Sequence, residues 1–247
     1  AQFPITITAT NDTAPDATKA FTLSVLAAPA VAEPLTITTL AGTAGASGVA
    51  DGSGDAARFN LPSGIAADGD GNVYVADMGN HTVRKVTAAG AVTTLAGQPG
   101  TPGSADGTGA AAAFDSPSGI AVDGAGTAYV ADTLNHTIRK VTAAGVVTTL
   151  AGQAGTSGSA DGTGGAARFY APQGLALDPT GTVLYVADTN NDILRKIDLA
   201  TGAVSTLAGS PGQAGSADGT GSAARFNAPA AVAVDQNGSL YVADMDN

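Results

Sequence analysis

Residues 74–81 read YVADMGNH, and the phrase returns as YVADTLNH at 129–136, as YVADTNND at 185–192 and as YVADMDN at 241–247. The aspartates of these phrases, Asp77, Asp132, Asp188 and Asp244, are 55, 56 and 56 residues apart. A period of this length marks a repeat architecture, in which one unit cannot bury its apolar surface alone and must stack on its neighbours. The chain must therefore build the same supersecondary unit several times over.

Each unit holds four short segments. The first is GIAAD at 64–68, then GIAVD, GLALD and AVAVD; the second is NVYVAD, TAYVAD, VLYVAD and SLYVAD. TVRKVT at 82–87, TIRKVT and ILRKID form the third, and AVTTLAG at 91–97, VVTTLAG and AVSTLAG the fourth. All are rich in β-branched residues and bounded by Gly, Asn, Asp or Pro, which is the pattern of strands in an antiparallel meander. A lone meander leaves both faces bare, so equivalent sheets arranged around an axis, as propeller blades, are the expected solution. The small first segment suits the crowded innermost strand, and the Thr-rich fourth suits a wetter outer edge.

The expected fold is thus all-β: a β-propeller of four-stranded antiparallel blades, present as an incomplete arc of about three and a half blades, with an N-terminal β-hairpin before it. Within the propeller region 35–247, the blades are 64–97, 119–152 and 174–209, a partial blade spans 231–247, and LTITTLAG at 35–42 is an orphan outer strand.

Composition agrees with this reading and narrows the function classes. Hydrophobic residues make up 44% of the 247, yet aromatics are only 4% and Trp is absent, so the core must be built from Val, Ile, Leu and Ala. Thirty-four glycines and twelve prolines argue against a helical bundle. No apolar run approaches the roughly 20 residues of a membrane span. A net charge of -11 opposes nucleic-acid binding, which needs a basic stripe. Without cysteine there is no disulfide, thiolate metal site or cysteine nucleophile.

Between blades lies an insertion, QPGTPGSADGTGAAAAFDSP at 98–117, repeated before the next two copies and varied at 43–62. Its aspartates Asp51, Asp106, Asp161 and Asp218 sit in Asp-Gly turns, and a phenylalanine follows at Phe59, Phe114, Phe169 or Phe226. The expected structure is a turn and one helical turn, with the phenylalanine anchoring the loop between blades. Calcium is the one cofactor the loop admits, through those four aspartates. One carboxylate per loop falls short of an ordinary calcium site, which favours a structural turn.

The two histidines, His81 and His136, occupy one repeat position, and Asp192 takes it in the third copy. Catalytic groups are single and asymmetric, so a residue repeated once per unit is expected to cap the turn between the second and third strands. Nine of the ten basic residues also lie at repeat positions. Arg84, Arg139 and Arg195 are expected to pair with Asp77, Asp132 and Asp188, because a planar guanidinium suits a carboxylate.

The run GIAVDGAGTAYVADTLNHTIRKVTAAGVVTTLAG at 119–152 resembles an NHL repeat, as do 64–97 and 174–209, while 231–247 resembles the first half of another. The resemblance implies a propeller usually of six blades, more than this chain supplies. It also implies several possible roles: interaction scaffolds, calcium-dependent lactonases, the lyase that completes peptide amidation, and RNA binders with a basic face. Enzymes of that kind converge His, Glu, Asp or Asn on a central metal, whereas the only glutamate here is Glu33 and both histidines are repeat residues.

Residues 1–26 hold two alternating strands, PITITATN and KAFTLSVL, and resemble the last strands of a bacterial immunoglobulin-like module; 27–34 reads as a linker. With no initiator Met or signal sequence, the chain reads as a piece of a longer secreted or cell-surface protein. The expected function is a non-catalytic interaction scaffold for a protein, peptide or carbohydrate, with a propeller lactonase or lyase and a purely architectural spacer as alternatives. Binding is expected where copies differ: Met78, Gly79, Thr133, Leu134, Thr189, Asn190, Met245 and Asp246. Self-association through open blade edges is a further expectation.

Overall fold

The computed structural model describes residues 37–247. The chain divides into two units, Ala1–Thr38 and Thr39–Asn247, of which the second carries the repeats. The expected hairpin at 1–26 and the linker at 27–34 lie outside the described residues.

Three sheets of five strands and one of two follow in chain order. The first contains β1 (Gly52–Ser53), β2 (Pro62–Ala67), β3 (Val73–Asp77), β4 (Thr82–Val86) and β5 (Ala91–Ala96). The second contains β6 (Gly107–Thr108), β7 (Pro117–Val122), β8 (Ala128–Asp132), β9 (Thr137–Val141) and β10 (Val146–Gly152). The third contains β11 (Gly162–Thr163), β12 (Leu175–Leu177), β13 (Val183–Asp188), β14 (Ile193–Asp198) and β15 (Ala203–Gly209). The last pairs β16 (Pro229–Val234) with β17 (Leu240–Asp244). All pairings are antiparallel, and the open set of sheets is an incomplete propeller.

The fourth segment is not the outer edge that its composition suggested. A two-residue strand from the preceding insertion lies outside it: β1 pairs with β5 through Gly52↔Val92 and Ser53↔Ala91, and β6 and β11 repeat the arrangement. Each insertion therefore belongs to the blade that follows it. The described part of the expected orphan strand, residues 37–42, forms no strand. Gly42 N–H still donates to Gly54 O at 2.9 Å, as Gly97 N–H does to Gly109 O, so the segment keeps the position of a preceding blade's end.

The innermost strands meet backbone to backbone. A bulge interrupts the β2–β3 register between Pro62 and Ile65, and the β7–β8 register between Pro117 and Ile120. This turns Gly64 and Gly119 toward the next blade, where a Cβ would stand 2.2 Å from Ser118 O and 1.9 Å from Gln173 O respectively. Only glycine permits that approach.

Between blades, the alternation of each strand supplies two apolar faces. Tyr74, Ala76, Val83 and Ala96 of the first sheet pack on Phe114, Ile120, Val130 and Val141 of the second. Tyr129, Ala131, Ile138 and Ala151 meet Phe169, Leu175, Val186 and Ile197 in the same way. Phe114 and Phe169 are fully buried here, so each of these two insertions drives one aromatic wedge between two blades.

Candidate interaction face

Each complete blade is closed by a buried charge cluster. Asp77, wholly buried, accepts Asn60 N–H at 2.8 Å through Oδ1, and Asn80 Nδ2 and Arg84 Nη1, both at 2.8 Å, through Oδ2. The other guanidinium arm, Nη2, donates to Asp51 Oδ1 at 2.7 Å and Ala50 O at 3.1 Å, while Nη1 also reaches Arg58 O at 3.0 Å. Phe59 lies 5.2 Å from the guanidinium carbon. Asp51 in turn accepts Thr94 N–H at 3.1 Å, which fixes the fifth strand to the fourth.

The same cluster recurs around Arg139, with Asp132, Asp106 and Phe114, and around Arg195, with Asp188, Asp161 and Phe169. Burial pushes Asp132 and Asp188 up to about 6, outweighing the asparagine, arginine and backbone donors that favour their charged forms. Desolvation also acts on the half-exposed Asp106, but Thr149 and Arg139 hold it below the usual carboxylate range. Three of the four calcium candidates, Asp51, Asp106 and Asp161, are thus engaged by arginine, and Asp218 in the two-stranded fourth repeat is exposed. Among the described residues, no group of three or more His, Cys, Asp or Glu side chains could hold a metal ion.

The histidine position closes its own turn through the backbone and also reaches the next blade with its side chain. His81 has φ 58° and closes the 3-10 turn Met78–Asn80 through its backbone, N–H to Met78 O at 3.2 Å. Its Nδ1 instead accepts Ser116 N–H of the next blade at 3.1 Å. His136 Nδ1 lies 3.2 Å from Ala171 N and 3.1 Å from Thr133 O of its own turn, accepting from the first or donating to the second according to its tautomer, and Asp192 Oδ1 accepts Ala228 N–H at 3.0 Å. The three residues on the donating side, Ser116, Ala171 and Ala228, have φ of 53°, 49° and 53°. In that left-handed conformation their N–H groups turn away from their own sheets, and the neighbouring blade satisfies them.

The register Pro62↔Asp77 places the start of each inner strand and the end of each second strand at one end of the blade. There the turn after the second strand docks on the segment before the first: Gly79 N–H donates to Asn60 O, Leu134 N–H to Asp115 O, Asn190 N–H to Tyr170 O and Asp246 N–H to Asn227 O. The positions expected to bind divide into two groups on this face. Thr133 and Thr189 bolt blades together, each donating its hydroxyl at 2.8 Å to the next blade's proline carbonyl, Pro172 O or Pro229 O. Gly79 is pressed on Asn60, where a Cβ would meet the side chain at 2.8 Å, and Met78 is half-buried. Leu134, Asn190, Met245 and Asp246 are exposed.

Two further residues join that exposed set without having been singled out by sequence, Leu61 and Tyr170. Leu61, Leu134, Tyr170 and Met245 are 65, 54, 42 and 61% exposed, one from each repeat. Tyr170 packs edge-on against His136, with ring centroids 5.5 Å apart. The available signal was the pair after each wedge phenylalanine: Asn60-Leu61, Asp115-Ser116, Tyr170-Ala171 and Asn227-Ala228 differ while the flanking Phe and Pro do not.

The opposite end of the blades is built of regular turns. Asp68, Asp123 and Asp235 each accept backbone N–H groups two and four residues on, at 2.8–3.0 Å. Asp178 does the same for Thr182 at 2.7 Å. These carboxylates shape their own turns.

The model of the NHL repeat matches residues 59–86 and 114–141, each from the wedge phenylalanine to the third strand. The chain is 36% identical over 163 residues to NHL repeat-containing protein 2 of Bos taurus, covering 61% of this chain and 22% of that protein. It therefore spans about a fifth of that relative. An auxiliary nutrient binding protein from Bacteroides ovatus superposes with a TM-score of 0.60 at 23% identity, covering 78% of this chain and 47% of that one. A streptogramin B lyase superposes with a TM-score of 0.53 at 16% identity, covering 76% and 52%. At these identities the solved structures show the fold alone. The chain carries NHL repeats in an incomplete β-propeller.

Proposed function

We propose that the chain is a non-catalytic interaction module of a larger secreted or surface protein, and that it binds through the face carrying Leu61, Leu134, Tyr170 and Met245. One observation carries this reading. The side chains that hold the blades together repeat from copy to copy, whereas the exposed apolar side chain on that face occupies a different repeat position in each copy. A rigid scaffold with varied exposed positions is how binding surfaces are commonly built. The aromatic ring of Tyr170 beside Asn190, with Leu134 on the neighbouring turn, suits a peptide or a carbohydrate, each of which needs apolar contact edged by amide and carboxylate groups. The Nδ1 of each histidine lies within hydrogen-bond distance of the next blade's backbone N–H, a position in the repeated framework that favours a structural role over a lyase or lactonase one.

The test is binding of the 247-residue chain to arrayed peptides and glycans, compared with a Leu134→Asp/Tyr170→Asp variant of unchanged circular dichroism and melting temperature. The reading expects at least one ligand whose binding the variant loses at least tenfold, and an Ala125→Asp variant on the opposite face to bind normally. Absence of any ligand, or equal binding by the face variant, contradicts it.

A further inference from the structure

The turn between the first two inner strands differs from its three later copies. Asp68-Gly69-Asp70-Gly71-Asn72 stands where they have Asp123-Gly124-Ala125-Gly126-Thr127, Asp178-Pro179-Thr180-Gly181-Thr182 and Asp235-Gln236-Asn237-Gly238-Ser239. The leading aspartate repeats because it shapes the turn: Asp68 Oδ1 accepts Asp70 N–H at 3.0 Å and Asn72 N–H at 2.8 Å. Asp70 has no carboxylate counterpart in any other copy. It is exposed, and among the described residues its carboxylate makes no hydrogen bond or ion pair.

This turn walls a cleft of about 170 Å³ between the first two sheets, each of which has all five strands. Gly124, Ala125 and Gly126 of the second sheet's turn form the facing wall, and Tyr74 and Lys85 line the cleft between them. Tyr74 is fully buried, and among the described residues it is the one tyrosine whose buried hydroxyl has no hydrogen-bond partner. That hydroxyl ends beside Gly126, where a Cβ would stand 3.1 Å from it. An unpaired buried hydroxyl is unfavourable and calls for a partner from outside the chain. Lys85 Nζ lies 5.2 Å from the centre of the Tyr74 ring and has no ion-pair partner among the described residues. Asp68 is held below the usual carboxylate range chiefly by the Asn72 side-chain amide, with the Asn72 and Asp70 N–H groups and the charge of Lys85 adding to it.

We infer that this cleft binds a small zwitterion of the amino-acid type, with its carboxylate against Lys85 Nζ and the Tyr74 hydroxyl and its ammonium against Asp70 and Asp68. Unpaired charges of both signs within one cleft select a ligand that carries both. A simple anion meets two carboxylates, a simple cation meets Lys85, and a neutral polyol leaves both charges unanswered. The walls of glycine and alanine offer no apolar recess, so the ligand has a small side chain or none. The second repeat keeps the tyrosine and lysine as Tyr129 and Lys140 but has Ala125 in place of Asp70, so the site is single and asymmetric within a repeated framework.

The probe is glycine, titrated into the isotope-labelled 247-residue chain and followed by amide NMR, with acetate, methylammonium and glycerol as separate controls. The inference expects saturable shifts confined to residues 68–74, 85 and 124–126, half-complete below about 10 mM, and each control at least tenfold weaker. The variants Asp70→Asn, Lys85→Met and Tyr74→Phe should each weaken glycine binding at least tenfold, with the amide spectrum of β7–β10 otherwise in place. Asp70 is a surface residue, so its variant tests the site even where Tyr74→Phe disturbs the packing. No saturable shift at about 100 mM glycine, binding of acetate or methylammonium as tight as that of glycine, or unchanged glycine binding by the Asp70→Asn or Lys85→Met variant overturns the inference.

Discussion

A single arginine per blade decides more than any other residue. Arg84, Arg139 and Arg195 are at most 1% exposed, and each ties a second-strand aspartate to an insertion aspartate 26 or 27 residues earlier. Removing one partner from a buried ion pair strands the other, so Arg139→Ala should cost about 3–5 kcal/mol of unfolding free energy, read from urea denaturation. The pairing of Arg139 with Asp132 was legible in the sequence, since the two recur together. Its second partner, Asp106, was not, because 33 residues separate them and no local pattern couples them. The histidine position was half legible: His136 Nδ1 does lie beside Thr133 O of its own turn, but the next blade's N–H that it also meets is 35 residues away, and repetition alone does not say to what a structural residue is bonded. For Asp132 and Asp188, folded values of about 6 lie above the unfolded value of 3.8, so the folded state binds protons more tightly. Their contribution to stability is complete below pH 3.8 and is lost as pH rises through about 6. Carboxyl-carbon NMR should show these two titrating near 6, whereas Asp198, held down by the Thr201 backbone and side chain, titrates below its ordinary range.

At the scale of the element, the four principal strands could be read directly because alternation and turn residues bound each one. The fifth could not. A Gly-Ser or Gly-Thr pair carries no alternation, and it becomes a strand only because Asp51 or Asp106 pins it against the neighbouring threonine N–H. The wedge phenylalanine is the other element-level device. Phe114→Ala should cost about 3–5 kcal/mol, as large core truncations do, with most of the loss at the junction of the first two sheets. The inner strands make a sharper prediction. Gly119→Ala places a methyl 1.9 Å from Gln173 O and should lower the melting temperature substantially, while Gly124→Ala, with open space around it, should leave it within about a degree of the parent. Comparable melting temperatures for the two variants would show that the inner strands do not meet as described.

On the scale of the whole molecule, the blades divide labour between a repeated framework and one varied face. Fold class was legible from the period alone, because few architectures stack identical meanders. The face was only half legible. Copy-to-copy differences at residues 133 and 189 pointed to Thr133 and Thr189, yet both hydroxyls are bonded to the next blade's proline carbonyl. Exposure, which sequence variation does not report, is what brings Leu61 and Tyr170 into the site. The central claim is that folding and binding rest on different residues. Its most direct measurement is a substitution scan of the displayed chain read by protease resistance, with polar replacements at every repeat position. The account predicts that Leu61, Leu134, Tyr170 and Met245 tolerate replacement, whereas Asp132, Arg139, Gly119 and Phe114 do not. If the four face residues prove as costly to folding as Arg139, they belong to the framework and the proposed division is wrong.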